Sequence, residues 1–148
     1  PMRPGEADGK DYHFLKEEDF VQRKDRGEFI EWAKVHSNYY GTLKKFVDQG
    51  LEEGKNLLFD LDVQGCDQMK ELYGEEAKVI FIEPPSYEEL QKRLTSRGTE
   101  APEVVAERLK NAKIELERRH DFDFLVTNDE LNKASAALAK VVKEILEN

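Results

Sequence analysis

The chain has 148 residues, 23 basic and 32 acidic, for a net charge of −9, and is 39% apolar and 37% charged. Its single cysteine, Cys66, excludes a disulfide framework or thiolate metal cluster, and the scattered His13, His36 and His120 lack metal-ligand spacing. The apolar runs are too short to cross a bilayer, no secretory signal is expected, and the acidic balance argues against general nucleic-acid binding. What remains is a cytoplasmic α/β domain that works without a membrane or nucleic-acid partner.

Residues 1–42 carry four glycines and a dense set of aromatics, among them Tyr12, Phe14, Phe20, Phe29, Trp32, Tyr39 and Tyr40. They read as a small subdomain attached to the remainder, 43–148. Within it His13–Leu15 and Phe29–His36 are expected as antiparallel strands, and Lys16–Arg26 as a short charged helix anchored by Phe20. Thr42 is placed to cap a helix bearing Phe46 and Val47. Leu57–Leu61, Lys78–Ile82 and Phe124–Thr127 are continuous apolar runs, as in strands covered on both faces.

Helical patterns separate and follow these runs. Ser86-Tyr-Glu-Glu89 has capping-box spacing, with Leu90 and Leu94 on one face and Gly98 as a stop. Pro102 opens a helix with Val105, Leu109, Ala112 and Leu116 on one stripe. A last helix carries Leu131, Ala134, Leu138, Val141, Val142 and Ile145. Strand alternating with helix indicates parallel βαβ units.

Five groups of residues can carry chemistry. In Arg3-Pro-Gly-Glu6 and Gly9-Lys-Asp-Tyr12, Arg3 and Tyr12 can donate to one phosphate while Glu6 orients a donor or a metal-bound water. A charged entry loop explains the same residues. Glu31 can accept from two adjacent N–H groups of a base, with the Tyr40 hydroxyl on a phosphate and Thr42 near a base oxygen. An exposed strand residue and packing tyrosines are the plain alternative. Asp60 and Asp62 stand at the end of an apolar run, where open α/β sheets take ligands, and a carboxylate there can hold Mg²⁺ through water. A helix cap at Asp62 competes with that role. Arg93 and Arg97, before Gly98, and Arg108 one helix later can neutralise transferring phosphates, or simply face solvent. Asn128 can meet an adenine edge or cap a helix.

Their order is the specific signal. Arg3-Pro-Gly-Glu6, Gly9-Lys-Asp-Tyr12, Glu28-Phe-Ile-Glu31-Trp-Ala33, Asn38-Tyr-Tyr-Gly41, Asp60-Leu-Asp-Val-Gln-Gly65, Ile82-Glu-Pro-Pro-Ser86, Arg93-Leu-Thr-Ser-Arg97-Gly-Thr-Glu100 and Val126-Thr-Asn-Asp129 stand as in guanylate kinases. The resemblance runs through essentially the whole chain, 1–148. It implies the fold of a P-loop nucleoside monophosphate kinase: a parallel sheet flanked by helices, a small antiparallel GMP-binding region at 1–42, and a lid at about 86–108.

The implied reaction is ATP + GMP → ADP + GDP with Mg²⁺, by a monomer or homodimer. The resemblance implies Arg3, Tyr12 and Tyr40 on the GMP phosphate with Glu6 nearby. Glu31 would lie on the guanine N–H edge, Thr42 near O6, and Asp60 close to the base and Mg²⁺. Arg93, Arg97 and Arg108 are implied on the ATP phosphates and Asn128 beside adenine. The family's phosphate-cradling G-x-x-x-x-G-K-[ST] loop and the central strand before it do not occur in these residues. A gap is therefore expected between the Leu57–Leu61 and Lys78–Ile82 strands. The chain is expected to be part of a longer enzyme, and by itself not to transfer phosphate at a useful rate. A non-catalytic guanylate-kinase-like domain that docks protein partners is the competing reading.

Overall fold

A computed structural model describes residues 2–35, 37–98 and 100–148; the expectations that fall on Pro1, His36 and Thr99 lie outside them. The chain divides into two compact units, Pro1–Gly74 and Glu75–Asn148.

In the first unit, α1 (Glu17–Asp25) precedes β1 (Phe29–Val35), β2 (Asn38–Leu43), α2 (Lys44–Glu52) and α3 (Val63–Tyr73). Three acidic residues occupy the first turn of α1 and two basic ones its last, matching the helix dipole at both ends. Phe20 is its buried residue, stacked on Phe29 at 4.3 Å and on Tyr39 at 5.2 Å, which ties the helix to the hairpin.

β1 and β2 pair antiparallel, with an irregularity between Phe29 and Glu31 that leaves Ile30 as the extra residue. That residue turns inward: Ile30 is only 3% exposed and forms the core with Val47 and Met69, packed by Phe59, Leu61 and Tyr73. The bulge breaks the in–out alternation of a regular strand.

Two expected strands do not form. Phe14 gives its N–H to the Asp8 carboxylate (2.7 Å), so 13–15 is held by a side chain and not by a ladder. Residues 57–61 run without strand pairing among the described residues, leaving Leu58 84% exposed. An apolar run becomes a strand only where a neighbour accepts its backbone hydrogen bonds. Thr42 belongs to β2, and the N-cap of α2 is Leu43, without a side-chain bond, so the capping role expected of Thr42 is not what it performs.

In the second unit β3 (Ile80–Glu83) pairs parallel with β4 (Phe124–Thr127); β4 has the expected bounds, while β3 starts and ends later than the expected Lys78–Ile82. Helices α4 (Tyr87–Ser96), α5 (Pro102–Glu117) and α6 (Leu131–Glu147) complete it. Ser86 caps α4 by accepting from Glu89 N–H (3.1 Å), and Pro102 opens α5. The half-buried positions of α5 include Val105, Leu109, Ala112 and Leu116, the expected stripe. On α6 the stripe starts at buried Ala134, since Leu131 at the helix end is 73% exposed. Asp123 accepts from Val79 N–H (2.8 Å), fixing the start of the parallel pair.

One polar cluster ties α2 to α3. Asp48 on α2 accepts from Lys44 (2.6 Å) and from the Tyr73 hydroxyl of α3 (2.8 Å). The Lys44 bond, then the Tyr73 bond, hold the Asp48 carboxyl below the usual range. Burial, then the Asp48 hydrogen bond, push the Tyr73 phenol up to about 12. The Asp48 contribution to stability is therefore present above its unfolded value and is lost as pH falls through the depressed folded one. The Tyr73 contribution is complete below about 10, the unfolded value, and is lost as pH rises towards about 12. Urea midpoints measured from neutral pH upward should fall above pH ~10 for the wild type and fall less for Tyr73→Phe. Parallel curves for the two proteins would contradict the coupling.

Candidate functional site

Two turns build the entry to the first unit's hollow. Arg3-Pro-Gly-Glu6 closes with Glu6 N–H donating to Arg3 C=O (3.1 Å), Gly5 taking φ 91° at the position that favours glycine. The Glu6 carboxylate accepts from Arg3 N–H in return (2.7 Å), so Glu6 fixes the turn that presents Arg3. The following loop is stitched by Asp11 accepting from Ala7 N–H (2.8 Å) and by Gly9 N–H donating to Tyr12 C=O (2.7 Å).

The hollow has a volume of about 280 Å³ and is lined by Arg3, Glu6, Tyr12, Tyr40 and Thr42 among others. Five of the seven expected acceptor-side residues thus line one cavity. Arg3 and Tyr12 are exposed while Glu6, Tyr40 and Thr42 are half-buried. Tyr12 meets Tyr40 edge to face at 6.0 Å, which sets the two phenols side by side.

Glu31 joins this group through Thr42, its cross-strand partner. The Thr42 hydroxyl donates to Glu31 Oε1 at 2.8 Å. Glu31 is half-buried, neither sealed under packing nor swung into solvent. Its second oxygen accepts no hydrogen bond among the described residues. Thr42 has a single hydroxyl hydrogen, so while it serves Glu31 it cannot also serve a base oxygen.

Gly41 makes this register possible. A Cβ there would lie 2.9 Å from the Glu31 carbonyl oxygen and 2.7 Å from the Phe29 ring.

Asp60 and Asp62 do not act as a pair. Asp62 caps α3, accepting from Gly65 N–H at 2.7 Å, which is the capping alternative weighed from the sequence. Asp60 is exposed on the unpaired run and does not line the hollow. Among the described residues no three His, Cys, Asp or Glu side chains cluster as a metal cage. Asp60 alone fits Mg²⁺ only as an outer contact through water, the way that ion is held when phosphates supply most of its ligands.

In the second unit the three arginines differ. Arg93 is engaged three ways: Nε to Glu89 Oε1 (3.1 Å), Nη1 to Asn128 C=O (2.7 Å) and Nη2 to Asp129 C=O (3.0 Å). Arg97 is exposed at the C-terminal end of α4, before Gly98 with φ 61°. Arg108 pairs with Glu100 at 2.6 Å on an open face. Asn128 follows β4, half-buried, and gives its backbone N–H to Glu83 C=O (2.7 Å). The N-cap of α6 is Glu130, so Asn128 is not a helix cap.

Sequence reasoning passed over several groups. His13, Phe14, Asn38 and Phe46 line the hollow, with His13 stacked on Phe46 at 4.7 Å. Aromatic density was the available signal, but it does not tell packing from lining. Glu83, 6% exposed, accepts from Arg119 Nη2 at 2.7 Å beside Thr127, while Arg119 Nε is buried without a partner among the described residues. No local signal joins residues so far apart.

Comparisons with known proteins agree with one another. The model of the guanylate kinase family matches residues 1–145. Guanylate kinase of Idiomarina loihiensis is 48% identical over 95% of this chain and 66% of its own length. That of Thermotoga maritima is 46% identical over 97% of this chain and 69% of its own. The chain thus spans about two thirds of the length of these relatives. A crystal structure of guanylate kinase from Anaplasma phagocytophilum superposes with a TM-score of 0.71 at 30% identity, covering 97% of this chain and 70% of that one. The α/β fold with its antiparallel hairpin and parallel strand pair is therefore the P-loop-kinase type.

Gly41→Ala should force the β1–β2 backbones apart and displace Glu31 from Thr42, destabilising the protein by about 1–3 kcal/mol. Denaturant unfolding measures this, and a neutral substitution would contradict the close approach.

Proposed function

Since this chain belongs to the guanylate kinase family, we propose that it takes part in ATP-dependent phosphorylation of GMP to GDP. The observation that carries the acceptor assignment is the half-buried Glu31 carboxylate, latched by Thr42 at the edge of the hollow that holds Arg3, Tyr12 and Tyr40.

Guanine presents N1–H and the 2-amino group side by side, and a carboxylate accepts both. As these hydrogens engage Glu31, the Thr42 hydroxyl is released to donate to O6. The base thus exchanges one internal hydrogen bond for three external ones. Adenine, with an acceptor at N1, leaves Glu31 facing a lone pair, which a partly buried carboxylate resists. Arg3, Tyr12 and Tyr40 donate to the GMP phosphate, and Glu6 keeps Arg3 in place through the backbone of its turn. Asp60, exposed and outside the hollow, would reach Mg²⁺ only through water.

For the donor, Arg97 and Arg108 neutralise the ATP phosphates and Asn128 addresses adenine. An oxygen of the GMP phosphate forms its bond to the γ-phosphorus as the bond to the ADP oxygen breaks. Little proton chemistry is required, so the side chains act by placement and charge. Mg²⁺, when bound with ATP, would supply charge neutralisation on the transferring phosphates. No helix among the described residues is long and apolar enough to cross a membrane, and a cytoplasmic site of action fits this reading.

Glu31→Gln is the test. The amide presents a donor to a donor edge, and GMP affinity should fall at least ~10-fold while ATP affinity stays within about twofold. Titration of each nucleotide separately decides it: equal losses, or an effect on ATP alone, would remove Glu31 from the guanine site.

A further inference from the structure

The family resemblance implies Arg93 on the ATP phosphates beside Arg97. Its surroundings give it different work. All three guanidinium nitrogens have partners within the second unit, and two of these are backbone carbonyls of the consecutive residues Asn128 and Asp129. The planar fork of an arginine matches two neighbouring acceptors, and bonds from a charged donor are about twice as strong as neutral ones. Glu89, one turn earlier on α4, orients the fork by accepting from Nε at 3.1 Å.

From the other side, Glu83 C=O accepts the Asn128 N–H at 2.7 Å, extending the β3–β4 hydrogen bonding by one step. The backbone of Asn128 is thus held at both its N–H and its C=O. Its side-chain amide makes no hydrogen bond among the described residues. That amide has one donor end and one acceptor end, the complement of a purine that carries an amino group beside a ring nitrogen. Taking Arg93 onto a phosphate would break both carbonyl bonds and release the segment that carries this amide.

We infer that Arg93 is a positioning residue: its fork on the Asn128 and Asp129 carbonyls fixes the Asn128 amide for recognition of the donor's 6-aminopurine base, leaving phosphate neutralisation to Arg97 and Arg108. This rests on the donor half of the proposed function.

The test uses the protein at its full natural length, as wild type, Arg93→Lys, Asn128→Ala and the double variant. Lysine keeps the charge and the helix propensity but cannot fork onto two carbonyls. Two probes separate base from phosphate: adenosine, which has no phosphate, and inorganic tripolyphosphate, which has no base. Arg93→Lys should weaken adenosine about fivefold and leave tripolyphosphate within about twofold. The double variant should bind adenosine no more weakly than Asn128→Ala, because the two residues act through one contact. Weakened tripolyphosphate with unchanged adenosine, or fully additive losses, would overturn the inference.

Amide hydrogen exchange at Asn128 reads the positioning without any nucleotide. It should speed up about fivefold in Arg93→Lys, the scale of one lost hydrogen bond, and an unchanged rate overturns the inference. Failure of the wild type to bind adenosine would count against the donor-site reading, while the exchange rate still decides the role of Arg93.

Discussion

The first unit's site depends on one cross-strand hydrogen bond, from the Thr42 hydroxyl to the Glu31 carboxylate at 2.8 Å. A half-buried carboxylate on a two-stranded ribbon has little else to fix its direction. The bond exists because the bulge at Ile30 shifts the pairing so that Glu31 faces Thr42 and not Gly41. The bulge in turn needs a residue without Cβ at position 41, where a side chain would meet backbone at 2.9 Å. Core and site are therefore linked: the residue that the bulge drives inward, Ile30, anchors the hydrophobic cluster, and its neighbour Glu31 is bonded to Thr42, which lines the hollow.

The second unit solves a similar problem with different parts. A short segment after a parallel strand has free backbone groups and few apolar contacts, so it would otherwise be mobile. Here Glu83 C=O holds one side and Arg93 the other. The first device aims a side chain with a hydroxyl and the second with a guanidinium and a backbone carbonyl, and each leaves polar atoms of the aimed side chain for a ligand. Chemistry that relies on placement more than on proton transfer benefits from such fixed groups.

Elements whose signals are local were legible in the sequence. Phe20 in a charged helix, Ser86 three residues before Glu89, Pro102 at a helix start and the run Phe124–Thr127 each carry their own physical reason, and each stands where expected. The order of the motifs identified the family, which the relatives confirm. Residues 57–61 have the composition of a strand but form none, because strand formation depends on a pairing neighbour, which composition does not report. Thr42 carries two possible duties in the sequence, and the capping one falls away because α2 begins after Leu43, its N-cap, while Thr42 stays in β2 and bonds Glu31. Asp62 went the other way, since its cap on Gly65 is a local bond that competes well with any distant ligand. The fork of Arg93 spans 35 and 36 positions of sequence, a contact that no spacing argument reaches.

The central claim is that the base of GMP is read at Glu31 and its phosphate in the adjoining hollow. A titration of the isotopically labelled protein with GMP, followed through its backbone amide resonances, addresses it directly. The account predicts shifts concentrated at 3, 5, 6, 12, 31 and 40–42. Shifts confined to residues outside these positions, with 31 and 42 unmoved, would contradict it.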